Sequence, residues 1–200
     1  MIRFIQKSIT RPLALKRFKN RKRNPSFVPL KEAGSIGILA DFRNPGHPAA
    51  VIQFSKSLHK MNLRPHLLMI IPEKRKELNV FDYERNFPGM PVELICQDEL
   101  SWLKDAPRKL TEPFIASRFD ILFLLDTSPN YSLEKILLSS SARMYAGISG
   151  AAGGTLDFEI ELSTGCDLAN LTENLLKYLQ SIHSKPEQKK VDSSQNLFST

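Results

Sequence analysis

Between residues 119 and 126 the chain reads Phe-Asp-Ile-Leu-Phe-Leu-Leu-Asp, a nearly unbroken apolar run of strand length closed by an acid. A strand with one wet face alternates apolar and polar side chains, whereas a run without alternation must be covered on both faces. Phe119 to Asp126 is therefore expected at the centre of a parallel sheet, with helices on either side. Ser35 to Asp41, Arg64 to Ile71, Val92 to Cys96, Met144 to Ser149 and Leu156 to Leu162 read as further strands. Segments of helical period lie between them. Pro48 suits a first turn, after which Val51, Phe54, Leu58 and Met61 share one face. Leu100 to Ile115 is helical material interrupted by Pro107 and Pro113. Ser132 is placed to cap a helix carrying Leu133, Ile136 and Leu137, and Asp167 to cap one striped by Leu168, Leu171, Leu175, Leu179 and Ile182. Residues 73–90 are charged and irregular, a loop with one helical turn. Strands alternating with helices, joined by right-handed crossovers, imply an α/β fold: three layers, Rossmann-like or flavodoxin-like, with a mostly parallel sheet and helices on both faces.

Two hundred residues suit one such domain with some terminal excess. The expected division is a basic amino-terminal arm and linker over residues 1–33, a single α/β domain over 34–183, and a polar, disordered tail over 184–200. No apolar stretch approaches the roughly 18 residues that a spanning helix needs.

The net charge of +7 is unevenly placed: residues 1–31 hold ten Lys or Arg and no acid, against 18 basic and 21 acidic residues in the remainder. The arm is densest at Arg17, Lys19, Arg21, Lys22 and Arg23, the expected contacts to a polyanion. Ile2, Ile5, Ile9 and Leu13 form an apolar stripe interrupted by Pro12, so an anionic membrane surface would attract the same segment. Against these stand a solvated leader and a cleaved transit peptide, which share its composition. The two cysteines, Cys96 and Cys166, form no CxxC and have no histidine at ligand spacing. Neither a disulfide framework nor a metal site is expected, and a reducing, cytoplasmic location fits.

In an open parallel sheet, ligands gather where strands end and strand order reverses. The loops there begin at Asp41 and Asp126, so Asp41, His47 and Asp126 are expected to converge at one rim as possible ligand-binding groups. The competing reading is that such acids cap helices and close turns. Gly147, Gly150, Gly153 and Gly154 lack the strand-to-helix setting of a phosphate loop, and no GK[ST] occurs, so a hairpin or sheet-edge connection is expected. His47, His59, His66 and His183 show no HExxH spacing, and Ser128 is in no nucleophile elbow. No catalytic residue and no cofactor is assigned.

The stretch Phe119 to Asp126, then Leu133 to Ala142, then Met144 to Ile148, resembles a bacterial family of uncharacterised domain proteins. These share the basic leader, an Ile-Gly-Ile-Leu first strand at Ile36 to Leu39, and the closing amphipathic helix. Residues 119–148 are also similar to the amino-terminal lobe of heptosyltransferase-type glycosyltransferases. That likeness implies a Rossmann-like lobe and carries over no catalytic residue, since the sugar nucleotide in those enzymes binds a second lobe for which this chain has no room. The functional expectation is a cytoplasmic, non-catalytic α/β domain whose arm binds RNA or the ribosome. The alternatives are a nucleotide- or sugar-binding lobe using Asp41, His47 and Asp126, and attachment to an anionic membrane.

Overall fold

A computed structural model describes residues 24–102, 104–161 and 167–182. Its six strands are β1 (Ile36–Asp41), β2 (His66–Ile71), β3 (Val92–Cys96), β4 (Arg118–Leu125), β5 (Ser141–Ile148) and β6 (Phe158–Ile160). They form one sheet in the order β3-β2-β1-β4-β5-β6, and every neighbouring pair is parallel. This is the doubly wound Rossmann order, and it decides between the two arrangements that the sequence left open. The helices are α1 (His47–Lys60), α2 (Val80–Glu84), α3 (Arg108–Ala116), α4 (Tyr131–Ser139) and α5 (Leu168–Ser181).

Two apolar cores lie on opposite faces of the sheet, and β4 feeds both. Ile121, Phe123 and Leu125 join a cluster with Val51, Phe54 and Leu58 of α1 and Leu171, Leu175 and Leu179 of α5. Leu122 and Leu124 point the other way, onto Phe114 of α3 and Leu133, Ile136 and Leu137 of α4. Successive side chains on a strand face opposite sides, so two covered faces demand an apolar residue at every position. Pro107 bounds α3, whereas Pro113 lies inside it.

Two local readings are refined. β6 runs parallel to β5 at the edge of the sheet, so of the two expected forms the glycine-rich segment is the sheet-edge connection and not the hairpin. After Ile148 the chain turns back through Gly150, Gly153 and Gly154, all at positive φ, and buries Ala151 and Ala152 in the second core. It then returns far enough for the Asp157 amide to donate to the Tyr145 carbonyl at 2.9 Å, so β6 can start in the same direction without a crossover helix. Residues 24–33, the end of the expected arm and linker, lie against the body. Val28, Leu30 and Ala33 belong to the first core, the Ser26 amide donates to the Arg143 carbonyl at 3.1 Å, and the Phe27 ring meets Phe158 edge-on at 6.3 Å. Residues 1–23 and 184–200 fall outside the described residues, and with them the expected arm and tail.

Asp120 ties this amino edge together. One of its carboxylate oxygens accepts from the Gly34 amide at 2.9 Å and the Ser35 amide at 3.1 Å, and the other from Arg143 at 3.2 Å. Partial burial pushes its carboxyl up, but the two amides and the guanidinium together outweigh that and hold it below the ordinary aspartate value. A depressed folded-state value means stability that is present above the unfolded value and lost as pH falls through the folded one. Asp120→Asn is therefore expected to lower stability by about 1–2 kcal/mol at neutral pH, and to unfold with a flatter acid limb than wild type. Urea midpoints measured from neutral pH into the acid range check both.

Candidate functional site

The order of strands reverses between β1 and β4, and the loops leaving their carboxyl ends diverge to α1 on one face and α4 on the other. The crevice between them is where ligands bind in this architecture. Asp41 is the last residue of β1, His47 the first of α1, and Asp126 follows β4, so the three side chains expected at one rim come together there. All three are buried.

Two residues absent from the sequence reading bind this group into a unit. Arg43 grips Asp41 along one edge, with Nε 2.8 Å from Oδ1 and Nη2 2.5 Å from Oδ2. Asn130 is the N-cap of α4, and its Oδ1 accepts from the Leu133 amide at 3.4 Å. That bond turns its Nδ2 toward the acids, where it donates to Asp41 Oδ2 at 2.6 Å and to Asp126 Oδ2 at 3.3 Å. Asp126 Oδ1 accepts from the Ser128 amide at 3.1 Å and hydroxyl at 3.3 Å. The Arg43 amide also donates to Asp41 Oδ1, at 3.0 Å, and closes the turn. His47 Nδ1 lies 3.0 Å from the Asp41 carbonyl, an acceptor only, so this nitrogen carries the proton; in the neutral ring Nε2 then accepts from the Thr127 hydroxyl at 3.3 Å. The capping role expected of Ser132 belongs to Asn130, because the helix begins one residue before Ser132. The Ser132 hydroxyl donates to the Lys104 carbonyl instead.

The electrostatics follow from burial and pairing. Burial pushes the Asp126 carboxyl above its ordinary value; the Ser128 amide, the His47 charge and Asn130 pull it down, and the Asp41 charge adds to the rise. Arg43 is held above its ordinary value by its bond to Asp41, against the opposing effect of burial. Two carboxylates, one guanidinium and one bridging amide thus form a self-contained polar cluster, with each carboxylate oxygen already accepting a hydrogen bond. Beside it, over the ends of β1 and β2, an open groove of about 400 Å³ is walled by Phe42, Ile52, Glu73, Asp82 and Tyr83, among others. The Tyr83 hydroxyl donates to the Glu73 carboxylate.

Among the described residues, no three His, Cys, Asp or Glu side chains are grouped to hold a metal ion, and no helix is long and apolar enough to cross a membrane. Cys96 is fully buried at the end of β3, and burial pushes its thiol up. The polyanion contacts expected at Arg17, Lys19, Arg21, Lys22 and Arg23 lie outside the described residues.

The parallel sheet and the crevice at its point of reversal define the class: a Rossmann-like α/β domain. Within that class, residues 3–182 match the model of a family described as a family of unknown function (DUF6913), and the chain belongs to it. No curated protein matches the chain.

Proposed function

We propose that this chain is a non-catalytic, cytoplasmic α/β domain that needs no cofactor and is held to a polyanion, RNA or the ribosome, by its basic arm. The observation that carries the reading is the partition of charge, ten cations and no acid in residues 1–31 beside a body with more acids than bases. Such a segment gains affinity by releasing the counterions condensed on a phosphate backbone. Arg17, Lys19, Arg21, Lys22 and Arg23 are its main contacts. Two structural facts support it. The stem at Val28 and Leu30 is anchored in the core, so the arm starts from a fixed point. The crevice groups bond to one another, which leaves them poorly disposed to take a proton from a substrate. The matched family model also runs across most of the arm.

The test is binding of a labelled duplex RNA across a potassium chloride series, by the full chain and by a chain lacking residues 1–23. If seven arm cations meet phosphates, the full chain should lose affinity with a log–log salt slope of roughly −6, and the truncated chain should lose most of that slope and affinity. Equal binding by both chains would sink the reading.

A second reading rests on the convergence of Asp41, His47 and Asp126 at the strand-order reversal. Here the chain is a nucleotide- or sugar-binding lobe, as its likeness to heptosyltransferase-type enzymes implies, and a ligand replaces part of the cluster's own bonding. It is favoured if a nucleotide sugar raises the melting temperature of the truncated chain, an effect the arm reading does not produce.

A further inference from the structure

A parallel sheet sets every strand start along one edge, and here that edge is also where the stem 24–33 arrives. Lys31 sits in the turn before β1, Arg64 two residues before β2, Arg118 opens β4, and Arg143 is the third residue of β5. Lys60 ends α1, which leads back from the end of β1 to the start of β2 and so finishes at the same edge. All five side chains are exposed. Because β2, β1, β4 and β5 are consecutive in the sheet, Arg64, Arg118 and Arg143 follow one another along it, and Lys31 lies in the stem that arrives at the same edge. At about 4.8 Å between neighbouring strands, that row is roughly 15 Å long.

The acids of this edge are already engaged. Asp120 binds the Gly34 and Ser35 amides and Arg143, and Glu93 is bonded to His66; Glu32, beside Lys31, also has a partner. Lys31, Lys60, Arg64 and Arg118 have no carboxylate partner among the described residues. Helix carboxyl ends collect here too, and a cation beside one complements the helix dipole, which accounts for Lys60. It does not account for Lys31 and Arg64, whereas Arg118, two residues past the end of α3, is open to the same account. The Ser26 amide on the Arg143 carbonyl places the start of the described stem at the β5 end of the row.

We propose that Lys31, Lys60, Arg64 and Arg118 extend the arm's phosphate-binding track along the amino edge of the sheet, and that the occupant is a nucleic-acid backbone. The proposal rests on the polyanion reading of the arm and names the surface that completes it. A linear row of cations matches the repeating phosphates of a nucleic-acid backbone. An anionic bilayer is the alternative the test must separate, because Phe27 at 44% and, at the end of α5, Tyr178 at 57% and Ile182 at 37% are exposed toward this edge, while Phe81 and Trp102 lie at the opposite one.

The experiment titrates labelled poly(U) RNA with the full chain and with its Lys31→Gln, Lys60→Gln, Arg64→Gln, Arg118→Gln variant across a salt series. Four lost phosphate contacts should make the log–log slope shallower by about 2–3 and weaken binding by roughly tenfold or more. An Arg64→Gln, Arg118→Gln variant, with about half that change in slope, gives the same readout should the fourfold variant fail to fold. If wild type and variant slopes coincide while removal of residues 1–23 abolishes binding, the edge surface is refuted and the arm reading stands. If the wild type ignores RNA and floats only with anionic vesicles, both are refuted.

Discussion

Gly147→Ala is expected to cost about 3 kcal/mol or more in unfolding free energy. Gly147 sits in β5 opposite Leu124 of β4, the strand pair at the centre of the second core. A Cβ there would lie 2.4 Å from the Leu124 carbonyl oxygen and 3.2 Å from a methyl of Leu156. The carbonyl belongs to a strand buried on both faces and cannot swing aside as the end of a side chain would. The strands must part, and contacts on both faces loosen with them. Gly46→Ala is the matched control. It has nothing within 4 Å of the added carbon and a φ of −79° that alanine adopts readily, so its effect should stay within roughly 0.5 kcal/mol. Equilibrium urea unfolding of both variants decides the matter, and a Gly147→Ala midpoint equal to that of wild type would refute the close approach. The expectation also gives Gly147 a reason unrelated to phosphate binding.

Leu30→Ala should cost about 2–4 kcal/mol, the range for emptying a buried leucine site. The side chain is 1% exposed, and its turn lies against α5. Lys31→Ala, one residue on and exposed, should cost under about 0.5 kcal/mol. A flexible linker would show neither the loss nor the contrast, so equal midpoints for the two variants would return residues 24–33 to that role. The same packing determines how the arm must be removed. Truncation after residue 23 leaves Val28 and Leu30 in place, whereas truncation after residue 33 opens the first core and confuses lost binding with lost folding.

Much of the architecture was legible because burial on two faces leaves a local mark. The run at 119–126 became β4 at Arg118–Leu125, the central strand with helices on both sides. Asp167 caps α5 as its position implied, accepting from the Asn170 amide at 2.9 Å. Asn130 was missed in favour of Ser132 because both stand just before the apolar stripe of α4, and only the extended backbone at Asn130 shows where the helix starts. The expected arm and linker over residues 1–33 did not foresee that Val28 and Leu30 reach the core, because Pro25 and Pro29 signal irregular backbone and not where it packs. At the crevice, Asp41, His47 and Asp126 were placed by their strand ends, but Arg43 and Asn130 were not. Asp41 and Arg43 sit in one turn, and Asp126 precedes the cap of α4 by four residues; either spacing was a usable signal.

What the order of residues determined by itself is what depends on neighbours a few positions away: strand or helix from apolar period, helix starts from caps, and the concentration of cations in the first 31 residues. Which strands adjoin, and which side chains meet, depended on contacts between residues far apart in the chain, such as Asn130 with Asp41 and His47 with Thr127. Periodicity does not encode such meetings. They arise when successive crossovers are laid on the two sides of a twisted sheet, and only the assembled sheet brings the ends of β1 and β4 together or sets Arg64, Arg118 and Arg143 along one edge.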